Sequence, residues 1–263
     1  MSSSFPMRNM RVRFSGETNI GMKRKHNEDS FILPDFERVA VVADGMGGHA
    51  SGEVASGMAV ESVAAYLKAT LDQSTITWPF KLDQGVRYET NRLVVGIKHA
   101  NQRIYETAQR NDDQHGMGTT IVAALFADDR VIVAHVGDSR CYRLRRQHLL
   151  QLTEDHSLLN DYLKMKRLSG EEAGRFTQKN VIVRALGMKE SVQVDTLVDI
   201  PQLHDIYMLC SDGLTGMVTD AQIAEIMSQE SDLDSACERL IAAANEAGGV
   251  DNITCVLARL EQL

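Results

Sequence analysis

The chain has 263 residues, of which 43% are hydrophobic and 24% charged, and its formal charge is −8. This is ordinary globular composition, long enough for one large domain with a sizeable core. An acidic chain without a basic block binds nucleic acid and anionic membranes poorly, so neither is expected as a partner.

In chain order, the first strand-like run is VAVVA at 39–43, followed by a helix-like stretch from Gly52 to Leu71 rich in alanine and small residues. Asp72 to Thr90, which holds the only tryptophan, Trp78, beside Pro79, reads as irregular. Leu93 to Arg110 then sets Leu93, Ile97, Ala100, Ile104 and Ala108 at helical spacing. TIVAALFA (120–127), RVIVAHV (130–136) and RCYRL (140–144) are short runs of the kind that form buried strands. Asp128-Asp129 reads as a hairpin turn, and Gly137-Asp138-Ser139 as a turn into the next run. These connections are too short for crossover helices, which predicts an antiparallel meander. Asp155 to Gly187 is polar and charged, with a helix-like piece at Leu158 to Leu168, and reads as a flap over a site rather than a core element. A strand-like DIYMLC (205–210), helix-like runs at Ala221 to Met227 and Leu233 to Ala247, and NITCVLARL (252–260) complete the chain.

No internal repeat or low-complexity tract interrupts this order. The longest apolar run, Ile121 to Ala127, is far short of the roughly 20 residues a membrane span needs. The N-terminal MSSSFPMRNMRV lacks the apolar stretch of a signal peptide, so a cytoplasmic protein is expected. The cysteines, Cys141, Cys210, Cys237 and Cys255, show neither zinc spacing nor a following arginine at C-x5-R, and read as buried thiols in a reducing compartment.

The informative pattern is where the aspartates fall. Asp44 follows VAVVA, Asp138 follows VIVAHVG, Asp212 follows YMLCS, and Asp251 precedes NITCVLARL. Four carboxylates thus sit at ends of expected strands, where a rigid backbone lets them converge. Each alone also suits a turn or cap, and Asp-Gly is a common turn. Together and ionised they need compensation, and all-oxygen ligands select hard cations, Mg²⁺ or Mn²⁺. Cations or a local arginine would also offset the repulsion that an acidic chain exerts on a phosphate ester. The glycine-rich DGMGGHASGE (44–53) lets backbone approach an ion or phosphate, but lacks the G-K-[ST] of a P-loop. Gly45-Met46 after Asp44 leaves no second aspartate for a D-x-D aspartyl-phosphate mechanism. Gly137-Asp138-Ser139-Arg140 shares a fragment with calcineurin-like esterases, without their asparagine–histidine motif.

A set of motifs in fixed order makes a resemblance specific: R-x-x-N-E-D (Arg24, Asn27, Glu28, Asp29), V-A-D-G-M-G-G-H (42–49), G-M-G-T-T (116–120), V-G-D-S-R (136–140), L-T-x-D-H-S (152–157), R-A-L-G (184–187), S-D-G-L (211–214) and D-N-I-T (251–254). From about residue 15 to 260 the chain resembles the PP2C-type, or PPM, metal-dependent protein serine/threonine phosphatases of the bacterial branch. The resemblance implies an α+β fold, a four-layer αββα sandwich of two antiparallel sheets flanked by helices, as a single domain over 10–263 with a flap-like segment at about 155–187. It implies two Mn²⁺ or Mg²⁺ ions bridged by Asp44, with the Gly45 carbonyl on one and Asp212 and Asp251 on the other. Asp138, with Asp212, matches a weaker third metal site, Glu28 and Asp29 match acids that hold metal-bound water, and Arg24 matches the phosphate-binding arginine. A water activated between the two ions would attack phosphorus in line, with no covalent enzyme intermediate.

Met46 departs from the histidine of animal members, proposed to protonate the leaving oxygen. His49 or metal-held water would have to take that role, while His156 reads as a structural hydrogen bond. The implied partners are phosphoproteins, including a cognate Ser/Thr kinase or its targets, met by a monomer. A non-catalytic phosphoprotein binder and a hydrolase of phosphorylated metabolites remain as alternatives.

Overall fold

The computed structural model describes residues 3–47, 51–71, 80, 83–165 and 181–263. Trp78, Pro79, His49 and most of the charged part of the expected flap (Lys166, Arg167, Glu171, Glu172 and Arg175) lie outside these.

Among the described residues, twelve strands form two six-membered layers that share no strand. One sheet runs β1 (Ser3–Met7), β2 (Met10–Asn19), β12 (Ile253–Gln262), β11 (Ile206–Cys210), β8 (Arg140–Arg145), β9 (His148–Gln151). The other runs β10 (Asp195–Asp199), β7 (Val131–Val136), β6 (Ile121–Phe126), β4 (Val39–Met46), β3 (Asp29–Ile32), with the two-residue β5 (Gly118–Thr119) paired to the end of β4. The strand pairings are antiparallel.

The period of two in each strand sorts side chains between layers. On β4, β6 and β7, Val41, Ala43, Ile121, Ala123, Ile132 and Ala134 pack outward against α1 (Ser51–Ala69) and α2 (Tyr88–Arg110). The alternate residues, such as Val42, Val122, Ala124 and Val133, face the other sheet and meet Val12, Leu209, Val256 and Leu260. Phe126 stands edge-on to Phe14 and Tyr207, with centroids 5.2 and 5.4 Å away, and joins the sheets across the sandwich. The far face of the first sheet, including Met208, Cys210, Cys255 and Leu257, is covered by α5 (Asp220–Gln229) and α6 (Leu233–Glu246). This is the expected four-layer αββα arrangement. It explains why central strands read as unbroken apolar runs: both faces are covered, and each fully buried Val, Leu or Ile contributes about 1.5–3 kcal/mol.

The helices carry their own boundary chemistry. A capping box between Thr219 and Gln222 starts α5, and the Asp232 side chain accepts from the Ser235 N–H to start α6. The short α3 (Leu158–Lys164) is capped by Ser157, and α4 (Asp212–Thr215) follows β11 directly.

The structure differs from the sequence reading at several points. The hairpin at Asp128-Asp129 forms, but Gly137-Asp138-Ser139 does not continue the meander: it carries the chain from β7 in one sheet to β8 in the other. Strands β1, β2, β3, β9 and β10 had no recognised signal, because charged or polar residues interrupt their apolar pattern, as at Arg11, Arg13, Asp195 and Asp199. Helix α2 begins at Tyr88, inside the stretch read as irregular. Strand β1 lies ahead of residue 10, and its Met7 is buried in the inter-sheet core. Within the flap-like segment, Leu186 packs in the core against the α1–α2 layer.

Candidate active site

At one end of the sandwich, the ends of strands from both sheets bring the expected residues together. Asp29 opens β3 directly opposite Asp44 near the end of β4. Paired residues of an antiparallel ladder share a face, so these two carboxylates are cross-strand neighbours. Facing them, Asp212 begins α4 just after β11, and Asp251 lies just before β12. Asp138 sits in the crossover between the sheets and lines a cavity of about 320 Å³ with Asp212, Asp251, Arg140 and Asp155.

The backbone at this point has room for nothing larger. A Cβ on Gly45 would come within 2.0 Å of the Gly52 carbonyl oxygen, and one on Gly213 within 1.9 Å of the Asn252 carbonyl oxygen. These glycines let β4 pack against the start of α1, and α4 against the chain before β12.

The motifs hold one another. The Glu28 carbonyl accepts from the Gly45 N–H at 3.0 Å and from Ser56 Oγ at 2.6 Å. Thr120 donates its N–H to the Asp44 carbonyl and accepts the Asp44 N–H on its hydroxyl; that hydroxyl also bonds Ser139 Oγ. Asn252 accepts the Glu28 N–H on Oδ1 and donates Nδ2 to the carbonyls of Ile20 and His26. Asp29 Oδ2 accepts from Ser211 Oγ at 2.8 Å and Thr254 Oγ1 at 2.7 Å, while its Oδ1 is buried and unpartnered. Asp138 Oδ1 is likewise buried and unpartnered.

Electrostatically the cluster is under load. Burial, then the charges of Asp29, Asp212, Asp138 and Asp251, push the Asp44 carboxyl well above its ordinary range. Burial raises Asp29 to about 7, with Asp212 and Asp251 adding to it against the Thr254 and Ser211 hydrogen bonds. Asp138 is raised to about 7 by burial, then by Asp212 and Asp155. Asp212 is raised by burial and by Asp251, partly offset by a hydrogen bond to Asp44.

Arg24 stands at the exposed mouth, its Nη2 donating to Asp251 Oδ2 at 2.6 Å. The predicted phosphate-binding arginine is therefore paired with a predicted metal ligand. Arg140 and Asp155, to which sequence reasoning gave no role, form a bidentate pair at 2.7–3.1 Å on the cavity wall. Their only signal was membership of the G-D-S-R and T-x-D-H-S motifs. His156 has the structural role expected of it. Its Nδ1 accepts the Gly137 N–H at 3.0 Å, and its Nε2 lies 3.3 Å from Asp195 Oδ2 and 3.1 Å from Arg184 Nη1. Burial first, then Arg184, lowers its pKa.

The donor set fits hard divalent cations: carboxylates, a backbone carbonyl next to them, two orphaned buried carboxylate oxygens, and no sulfur or imidazole. Among the described residues, no three acidic, histidine or cysteine side chains are drawn close enough to enclose an ion as they stand.

Known proteins share this sequence pattern and fold. The family model described as Protein phosphatase 2C matches residues 22–258. The serine/threonine phosphatase stp of Listeria innocua is 41% identical over 247 residues, covering 91% of this chain and 92% of that one. The Mycobacterium tuberculosis serine/threonine phosphatase PstP/Ppp superposes with a TM-score of 0.82 at 35% identity, over 95% of this chain and 99% of that one. The catalytic domain of PstP in complex with two manganese ions does so with a TM-score of 0.78 at 34% identity, over 95% and 99%. By the family match, the sequence identity and the shared fold, the chain belongs to the protein phosphatase 2C family and is a metal-dependent phosphatase.

Proposed function

We propose that this chain hydrolyses phosphoserine and phosphothreonine in proteins with two divalent cations, Mn²⁺ or Mg²⁺, held by Asp44, the Gly45 carbonyl, Asp212 and Asp251, with Asp138 and Asp212 offering a weaker third position. The observation that carries the reading is the buried, mutually repelling carboxylate cluster, whose members are driven to keep protons that cations would replace. When bound, the cations supply an activated water for in-line attack and offset charge on the phosphoryl group. Arg24 lies within the field of Asp44, Glu28 and Asp251 at the mouth, and its planar fork suits a phosphate there. Ser211 and Thr254 fix Asp29 through one oxygen and leave the other unpartnered. Glu28 anchors the Gly45 strand end through its backbone. Met46 has no proton to give, so protonation of the leaving alkoxide falls to water. The substrates are products of a Ser/Thr kinase, met inside the cell by a monomer. Among the described residues, no helix is long and apolar enough to cross a membrane.

The test is phosphate release from a phosphothreonine peptide with Mn²⁺, with Mg²⁺ and with EDTA, alongside Asp212→Ala. We expect release that requires metal and is lost in the variant. Release that persists in EDTA, or in Asp212→Ala at the parent rate, would overturn the assignment.

A further inference from the structure

Beside the carboxylate cluster lies a second cavity of about 400 Å³, walled by Met46, Ile182, Ala185, Met188 and Val192, with Arg184 and Lys189 also on its lining. Its position follows from β4. Side chains two apart on a strand share a face, so Met46 projects from the same face as Asp44, about 6.6 Å further along. The surface thus changes from carboxylate to thioether within one step of the strand. Met46 pairs with Gly118, and a Cβ on Gly118 would sit 3.1 Å from Met188 Sδ, so the cavity's opposite wall closes on the same strand end.

The cavity is built rather than incidental. Leu186 exchanges backbone hydrogen bonds with Thr119 at 2.8 and 3.1 Å, and the Val183 N–H is held by the His156 carbonyl at 2.9 Å. The buried Asn101 accepts the Gly187 N–H at 2.9 Å and donates to the carbonyls of Lys189 and Glu190, both at 3.1 Å. This wall is therefore fixed to α2 and β5, yet it leaves Val183 and Met188 exposed at 44% and 53%. Apolar side chains held open to water on a rigid wall beside a catalytic centre mark a binding surface. Arg184 is committed to Asp195 at 2.7 Å, so it adds little free charge to the cavity.

Resting on the phosphatase reading above, we propose that this cavity is a specificity subsite that receives an apolar side chain of the substrate, within two residues of the phosphorylated one. An extended peptide advances about 3.3–3.6 Å per residue, so a phosphate at the Asp44 cluster puts only the immediate neighbours over Met46 and Met188. Flexible thioethers suit Leu, Ile, Met and Phe alike, so the subsite selects for apolar character rather than one shape.

The experiment compares kcat/KM with Mn²⁺ for phosphothreonine peptides that carry Leu, Ala, Glu or Lys in turn at each of the two positions on either side. The enzymes are the parent, Met188→Asp and Val183→Asp, and p-nitrophenyl phosphate reports the metal centre without flanking residues. We expect one flanking position to favour Leu over Ala by about tenfold. We expect Met188→Asp to abolish that preference while p-nitrophenyl phosphate turnover and thermal unfolding stay at parent levels. Val183→Asp, at a more peripheral point of the same wall, should reduce it too, and stands in if Met188→Asp does not fold. Equal rates for Leu and Ala at every position, a preference for Glu or Lys, or a Leu preference that survives both variants would overturn the subsite. Absence of p-nitrophenyl phosphate hydrolysis by the parent would instead remove the phosphatase reading, and the subsite with it.

Discussion

Asp29 shows how single residues set this site. It is buried with one oxygen satisfied by two hydroxyls and the other left free, an arrangement costly for a carboxylate unless a cation or an ordered ligand completes it. The hydroxyls come from S-D-G-L and D-N-I-T, so motifs far apart in the chain are parts of one hydrogen-bonded support. Outer partners of this kind tune metal affinity strongly. We expect Ser211→Ala and Thr254→Val each to weaken Mn²⁺ binding about 10–100-fold, read by calorimetry, with little change in fold. Unchanged affinity in both would mean that Asp29 does not act through the metals. The candidate carboxylates were legible because an aspartate after a buried strand has few neutral readings once several occur together. The supporting contacts were not legible. A threonine or serine in a motif says nothing of which carboxylate, two hundred residues away, its hydroxyl will meet.

At the scale of elements, strands buried on both faces announced themselves and amphipathic strands did not. A continuous apolar run such as IVAALF survives any assignment of faces, whereas MRVRFSGETN alternates with charge and Gly16 breaks its pattern. The start of α2 was hidden for a related reason. Its first turn holds Thr90, Asn91 and Arg92, polar residues that are nonetheless buried. Arg92 explains why: it makes a bidentate pair with Glu37 at 2.8 and 3.0 Å, donates to Thr70 Oγ1 and bonds the Leu67 carbonyl. One guanidinium thus ties the end of α1 and the start of α2 to the chain before β4. Arg92→Met should destabilise the protein by about 3 kcal/mol in urea denaturation, because Glu37 is left without its partner. Adding Glu37→Met should recover much of that loss. A single variant as stable as the parent would show that the pair is dispensable.

Across the whole molecule, the αββα stack brings the ends of β3, β4, β11 and β12 together, and with them the carboxylate cluster. Burial raises Asp29 and Asp138 to about 7, from an ordinary 3.8. A raised carboxyl pKa means that the folded state keeps protons the unfolded chain has released. Its contribution is therefore fully present below about pH 4 and is lost as pH rises to about 7. Asp195, held low by His156 and Arg184 against its burial, acts with the opposite sign below that window. We expect the Tm of EDTA-treated protein to fall between about pH 4 and 7 and Mn²⁺ to restore it at neutral pH. A profile that is flat and indifferent to Mn²⁺ would count against the cluster as a cation site. The central strands, the main helices, the acidic character and the motif aspartates were readable from the chain alone, because periodicity, strand length and ion chemistry are local or compositional. Folding was needed to show that Gly137-Asp138-Ser139 crosses between sheets, that Arg24 rests on Asp251, and that Met46 turns the end of the Asp44 strand into one wall of an apolar cavity. Each of these depends on which distant strand ends meet, and that is settled by packing two sheets face to face rather than by any stretch of chain alone.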